Sequence, residues 1–428
     1  MQAGTFSVRS KTGVLREIKV YDLVEGWDVG NASAAQSSLQ VGDKYQGEYD
    51  TLLFRDTAMD LIEQHASLEA QSAQSGGSGI PMFMWLAFHA THSDHGQSND
   101  TYFAANQFPT LRRLNKLIRA GNMTKHRYEF ARAMMLADMA VGSITASLKT
   151  TGLLHKTLVV VHSDNGGQPC TDILPSYNTP LRSTKFQYFE GGIRVPGFIY
   201  APGMLPSKVQ GTTYAGLMHH VDWMATFLSL AGADWDSIAS EDDLDGVDQW
   251  AAITGEFTNN QTQDDFALRG SDMRSPRNEV VFDINLIQVE NHVRTPVAYK
   301  DAVIAYRYND YKLLLNAADD KWYEPSKDYS DTCTGSFCKQ VLQFNPAYAE
   351  NCSWGAYLFD LRRDPYEHHN LIDELPQVRA ELEYRVRLHY EASYVQYASW
   401  SSEATDAAHE AFLGASQYVV PWQCDVIL

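Results

Sequence analysis

The chain has 428 residues, with 34 Lys and Arg against 53 Asp and Glu, for a formal net charge of −19. Apolar residues make up 44% and aromatic residues 12%, which excludes a disordered chain, a disulfide-dense mini-domain and a coiled coil. The acidity argues against nucleic acid as a partner, because affinity there comes from Lys and Arg neutralising phosphates, and no apolar run approaches the roughly 18 residues that span a bilayer.

Residues 1–16 lack the apolar stretch of a secretory signal. Helical period appears over residues 55–65, with Phe54, Ala58, Leu61 and Ile62 on one face. Residues 66–80, rich in Ser, Gly and Gln, read as a loop. The continuous apolar run at 82–88 suits a strand buried on both faces of a parallel sheet. A long helix is predicted over 126–150, presenting Phe130, Met134, Val141, Ile144 and Leu148, with Gly152 ending it. Residues 157–163 (TLVVVHS) and 195–200 are the next strands. Asp222 caps a helix through Ala231, stopped by Gly232. Strand and helix in alternation predict an α/β fold with a mostly parallel sheet over residues 1–255. From 256 to 428 the texture changes. Residues 303–307 and 312–315 flank Tyr308-Asn309-Asp310 as a hairpin. Residues 357–361 read as a third strand, and a helix starts at Pro376 with Val378, Leu382 and Val386 on one side. A small antiparallel sheet with a helix is expected there, as a second domain.

Five N-x-S/T sequons occur, at Asn31, Asn99, Asn122, Asn260 and Asn351, where composition predicts about two by chance. The excess favours glycosylation on a secretory route, lysosomal or extracellular. The five cysteines are an odd number. Cys333 and Cys338 form CTGSFC, with Cys352 and Cys424 further on, and an oxidising compartment would let some pair. No CxxC pair supports a zinc site.

Three segments carry chemistry, each where α/β sheets put their sites, past the carboxyl ends of strands. Phe88-His89-Ala90-Thr91-His92 follows the 82–88 run. Ser163-Asp164-Asn165-Gly166-Gly167 follows TLVVVHS and sets a carboxylate beside a carboxamide, hard oxygen ligands for Ca²⁺ or Mg²⁺. Arg182, Lys185 and Arg194 lie in PLRSTK and FEGGIR, local cations in an acidic chain that suit an anionic group.

These residues resemble the sulfatase family, most closely its arylsulfatase B-like group. The matching text is FMWLAFHATH, DMAVGSITASLKTTGLLHKTLVVVHSDNGGQ, NTPLRSTKFQYFEGGIRVPGFIYAPG and LMHHVDWMATFLSLAG, followed by DAVIAYRYNDYKLLL and LFDLRRDPYEHHNL. The resemblance implies an alkaline-phosphatase-like α/β sandwich with a small C-terminal antiparallel domain. It implies a sulfuric ester hydrolase acting on aryl sulfates or sulfated glycans. Asp164 and Asn165 match calcium ligands. Lys185 matches the lysine on the sulfate, with Arg182 beside it. His92 matches the histidine that protonates the leaving oxygen. His219 and Asp222 also match family positions, and read as structural and as a helix cap.

The family's nucleophile comes from a C/S-x-P-x-R motif, which these 428 residues do not contain; Cys170, followed by Thr-Asp-Ile-Leu-Pro, does not fit. The family's paired aspartates and its earlier Lys and His are also lacking. The expectation is that Met1 is an internal start of a longer protein. It follows that this chain would bind calcium weakly, since two ligands do not make the six to eight that Ca²⁺ takes, and would expose apolar surface beside the missing first strand. Two other readings stand: a non-catalytic homologue that binds sulfated ligands, and a phosphodiesterase or phosphatase of the same superfold with a zinc pair. The PLR-x-x-K-x₄-EGG run favours a sulfatase over the latter.

Overall fold

A computed structural model describes residues 48–77, 79, 81–92, 109–169, 176–234, 244–257, 275–285, 287–290, 293–296, 299–323 and 353–392, with the backbone of four short strands between residues 4 and 41. Outside the described residues lie Asn31, Asn99, Asn260 and Asn351 and all five cysteines: Cys170, Cys333, Cys338, Cys352 and Cys424. The chain forms two compact units. One comprises Met1–Ala104, Ala133–Ser147 and Gln396–Leu428; the other comprises Ala105–Arg132 and Leu148–Val395.

In the first unit, β1 (Gly4–Arg9) pairs with β2 (Leu15–Val20), and β3 (Val24–Glu25) with β4 (Gln40–Val41), both antiparallel. Helix α1 (Asp50–Gln74) buries Thr51, Ala58 and Ile62. It absorbs most of the loop predicted at 66–80. Ala, Leu, Glu and Gln dominate residues 66–74, all strong helix formers. The helix stops only at Gly76, whose φ of +73° permits the left-handed turn, with the Gly77 amide donating to the Ser72 carbonyl. The run at 82–88 is not a strand. No strand pairs with it among the described residues, and a lone extended segment has nowhere to place its ladder hydrogen bonds. Phe83 and Trp85 are 71% and 69% exposed.

Helix α2 (Pro109–Arg119) precedes α3 (Lys125–Thr150), which forms as its period predicts. Its buried face is Ala133, Leu136, Ala140 and Leu148, rotated from the predicted one so that Met134 is exposed.

The second unit corrects the expectation of a mostly parallel sheet. Strands β5 (Val159–His162) and β6 (Gly197–Tyr200) pair antiparallel, and so does every other strand pair among the described residues. A parallel pair needs a crossover of a dozen or more residues, usually a full helix. Between β5 and β6 the only helix described is α4 (Glu190–Ile193), four residues long. The chain instead doubles back, and the Ser163 amide donates to the Pro196 carbonyl across the base of the loop. Helices α5 (Asp222–Leu230) and α6 (Trp250–Ile253) follow.

Next come β7 (Glu279–Asn285), the pair β8 (Ile287–Glu290) and β9 (Val293–Pro296), and then β10 (Val303–Tyr308), β11 (Tyr311–Ala318) and β12 (Trp354–Asp360). Four of them make one antiparallel sheet in the order β12-β11-β10-β7. The predicted hairpin at 308–311 closes it, Asn309 taking φ +50°. Each face of the sheet has its own core. On one, Val378, Leu382 and Val386 of α7 (Pro376–Ala392) pack on Ile304, Tyr306, Leu313 and Leu358. On the other, Phe189 packs on Ala305, Leu314, Ala317 and Phe359. Alternation along the strands feeds both cores, and the second one holds the chain just before α4. Leu382 is fully buried, so Leu382→Ala is expected to lower unfolding free energy by about 2–5 kcal/mol, read from the urea midpoint at unchanged slope.

Candidate active site

The loop after β5 carries Asp164 and Asn165. The Asp164 carboxylate is exposed, and its Oδ1 accepts the Asn165 amide at 2.8 Å. Ser163 Oγ braces the turn, 3.0 Å from the Asn165 carbonyl. The Gly166 amide then donates to the Gly192 carbonyl at 2.9 Å. The Gly167 amide donates to Asn178 Oδ1 at 2.7 Å, and Asn178 Nδ2 reaches back to the Gly167 carbonyl at 2.9 Å and to that of Ser183 at 3.0 Å. The Lys185 amide donates to the Gly167 carbonyl at 2.9 Å. Thus the acidic loop and the lysine loop are sewn together by backbone atoms and one Asn side chain. The sequence reading gave Asn178 no role.

Lys185 is half-buried, with Nζ 5.3 Å from the centre of the Phe186 ring and no ion pair among the described residues. Ser183 and Phe186 on either side of it take φ +73° and +76°, conformations that cost a non-glycine residue roughly 1–2 kcal/mol. Tertiary bonds hold Ser183 there: its amide donates to the Lys321 carbonyl, and its hydroxyl lies 2.6 Å from Asp320 Oδ2.

Arg182 faces elsewhere. It is buried, and its guanidinium donates to the carbonyls of Asp320 (2.8 Å) and Glu367 (3.2 Å) and to Asp319 Oδ1 (2.6 Å). It lies 4.1 Å from the Phe189 ring centre and 4.6 Å from that of Trp322. Its cationic charge, expected on an anionic ligand, is spent on joining this loop to the segments beside the four-stranded sheet. Arg194 is exposed, 3.9 Å from Glu190 Oε2.

Beneath the lysine loop lies a cluster absent from the sequence reading. Lys312 on β11 has no exposed surface, and its ammonium sits 3.0 Å from Glu190 Oε1 and 2.8 Å from Glu367 Oε1. Burial opposes ionisation of Glu190, but Lys312, with Arg307 and Arg194, outweighs it and holds that carboxyl below its ordinary range. Burial pushes Glu367 up, and the neighbouring Glu190 charge adds to this.

Asp222 is the first residue of α5 and not its cap: the N-cap position is Val221, with no side-chain capping bond. Its carboxylate accepts the His219 and Val247 amides and pairs bidentately with Arg277. His219, held by burial below its ordinary pKa, packs beside His220. His220 stacks on His162, ring centres 4.7 Å apart, and is likewise depressed by burial and by the neighbouring histidines.

His92 belongs to the other compact unit. It is exposed, and its amide donates to the His89 carbonyl at 2.7 Å, while His89 Nδ1 lies 2.5 Å from Asp50 Oδ2. The Asp50–His89 pair ties this turn to the start of α1.

Residues 27–233 match the family model described as Sulfatase. This segment is a sulfatase-family domain. Arylsulfatase J of Mus musculus is 25% identical over 371 residues, covering 85% of this chain and 50% of that protein. Arylsulfatase A of Bos taurus is 28% identical over 306 residues, covering 71% and 46%. The chain spans about half the length of the curated relatives it matches. The crystal structure of Ps i-CgsB in complex with k-i-k-neocarrahexaose shares the fold, with a TM-score of 0.51, 21% identity and coverage of 86% of this chain and 59% of that one. The resemblance of this chain to sulfatases, a class of hydrolases, therefore holds in sequence and in fold.

As for a metal, Asp164 and Asn165 offer oxygen donors of the kind a hard cation takes. Among the described residues no group of three or more His, Cys, Asp or Glu completes such a site. No helix among them is long and apolar enough to cross a membrane.

Gly166 is the tightest point of the interlock: a Cβ there would lie 1.8 Å from the Gly191 carbonyl oxygen. Gly166→Ala must push the acidic loop off α4. Its expected cost is about 1–3 kcal/mol, measured by urea unfolding, with faster exchange of the residue 166 amide.

Proposed function

We propose that this chain carries the metal-and-sulfate half of a sulfuric ester hydrolase of arylsulfatase type, nearest the arylsulfatase B-like group. The observation that carries the reading is the interlock, in which the Lys185–Gly167 and Gly166–Gly192 backbone bonds join the loop of the exposed Asp164 to the loop of the half-buried Lys185. Lys185 holds sulfate oxygens by charge-assisted hydrogen bonds. Asp164 and Asn165 would contribute two oxygens to a calcium ion, which would supply positive charge to stabilise the anionic sulfate group. Breaking the S–O bond builds negative charge on the leaving alkoxide or phenoxide oxygen. By the family resemblance His92 would give that oxygen its proton, while the cation of Lys185 would meet charge that stays on sulfate. No residue of this chain is assigned as the nucleophile.

The substrate class is an aryl sulfate or a sulfated glycan. It is suggested by the arylsulfatase names of the relatives and by the neocarrahexaose bound to the structural neighbour. A secretory route, lysosomal or extracellular, accords with the sequons. Asn122 is exposed in the turn after α2, where its amide donates to the Leu117 carbonyl and its side chain is open to a glycan. A second reading is a homologue that binds sulfated ligands without cleaving them. Both readings need Lys185. Inorganic sulfate titrated into the 428-residue chain with calcium present is expected to bind Lys185→Ala about tenfold more weakly than wild type, close to 1.4 kcal/mol. Equal affinities would remove Lys185 from the site. Turnover of 4-nitrophenyl sulfate by a full-length form separates hydrolase from binder.

A further inference from the structure

The Lys312–Glu190–Glu367 cluster is costly to build. Each ion loses several kcal/mol of hydration on burial, and a hydrophobic replacement is often as stable or more so. Its place in the fold indicates what it does. Lys312 stands on β11. Glu367 lies in the turns after β12 at φ +60°, and its Oε2 accepts the Glu190 amide at 2.8 Å. Both ends of Glu190, amide and carboxylate, are therefore held by the sheet side of the molecule. The residues that follow, Gly191 and Gly192, have no room for a side chain. A Cβ on Gly191 would lie 2.3 Å from the Arg182 carbonyl oxygen, and one on Gly192 would lie 2.2 Å from that of Gln187. The Gly191 amide donates to Arg182, and the Gly192 carbonyl accepts from Gly166. This turn thus touches the acidic loop on one side and the lysine loop on the other.

We infer that Lys312, Glu190 and Glu367 are positioning residues that set the separation between the Asp164-Asn165 loop and Lys185 through the Glu190–Gly192 turn. This rests on the reading of Lys185 as the sulfate-holding cation. The cluster touches no substrate. It acts by anchoring the turn on which both loops lean, so its loss loosens the site before it loosens the sheet.

The test is amide hydrogen exchange on the 428-residue chain, comparing wild type with Lys312→Met, which keeps the side-chain volume. The amides of Gly166, Lys185 and Gly191 are expected to exchange at least tenfold faster, with those of α7 and β10 within about threefold of wild type. Unchanged rates at the three amides, or an even rise that includes α7 and β10, would overturn the inference. If the single variant does not fold, Lys312→Met/Glu190→Gln carries the same comparison without an unpaired Glu190 charge; failure of both to fold makes the cluster a plain stability element and also overturns it. A second readout uses inorganic sulfate. Lys312→Met is expected to weaken binding about tenfold when Lys185 is present and not at all in the Lys185→Ala background. Equal losses in both backgrounds count against positioning. Absence of Lys185-dependent sulfate binding in wild type sinks the functional reading alone, because hydrogen exchange still decides the positioning.

Discussion

A lysine with no exposed surface has to be paired or neutral. Lys312 is paired twice, and its two partners come from segments 177 residues apart in the chain, Glu190 and Glu367. This one ammonium therefore ties three stretches of chain into a single joint: a sheet strand, the turns after the last strand, and the short α4. The core on that face of the sheet, where Phe189 packs on Leu314 and Phe359, excludes water from the joint. Exclusion raises the cost of breaking any one bond in it, because a buried charge left without its partner costs about 3–5 kcal/mol.

From that joint outward, distances are governed by glycine. Gly166, Gly191 and Gly192 stack backbone on backbone at separations no Cβ would survive. Close backbone approach converts a fixed turn into fixed loops, since neither loop has side-chain slack to absorb a shift. Ser183 and Phe186 extend the same logic with opposite means. They hold left-handed conformations that their own side chains disfavour, so the surrounding bonds must over-determine them. The lysine between them inherits that rigidity.

Charge is used in two distinct ways. Over the whole molecule the excess of carboxylates repels anions at long range, an effect screened beyond roughly 8–10 Å at physiological salt. Locally, cations act by contact. Arg182 stacks on aromatic rings and fills its donors with carbonyls and Asp319, so a guanidinium in a loop rich in cations serves cohesion. Lys185, three residues on, has no ion pair among the described residues.

Much of this was legible in the sequence. Periodicity located α3, the β10–β11 hairpin and the face of α7 that carries Val378, Leu382 and Val386, because those signals depend on neighbours a few residues away. The DNGG and PLRSTK motifs marked the loops that meet at the site. Strand direction was not legible: TLVVVHS reads the same whether its partner runs with it or against it, and the partner was decided by a loop that doubles back at Ser163 and Pro196. Nor was the strand at 82–88 decidable, since a strand exists only when another pairs with it. Nothing in YKLLL sets Lys312 apart, and only the fold brings Glu190 and Glu367 to it. The sequence by itself determined which residue types could do the chemistry and which local elements would form. The tertiary structure alone decided which charges are buried to hold the loops, because burial and pairing depend on segments that the chain separates by 55 to 185 residues.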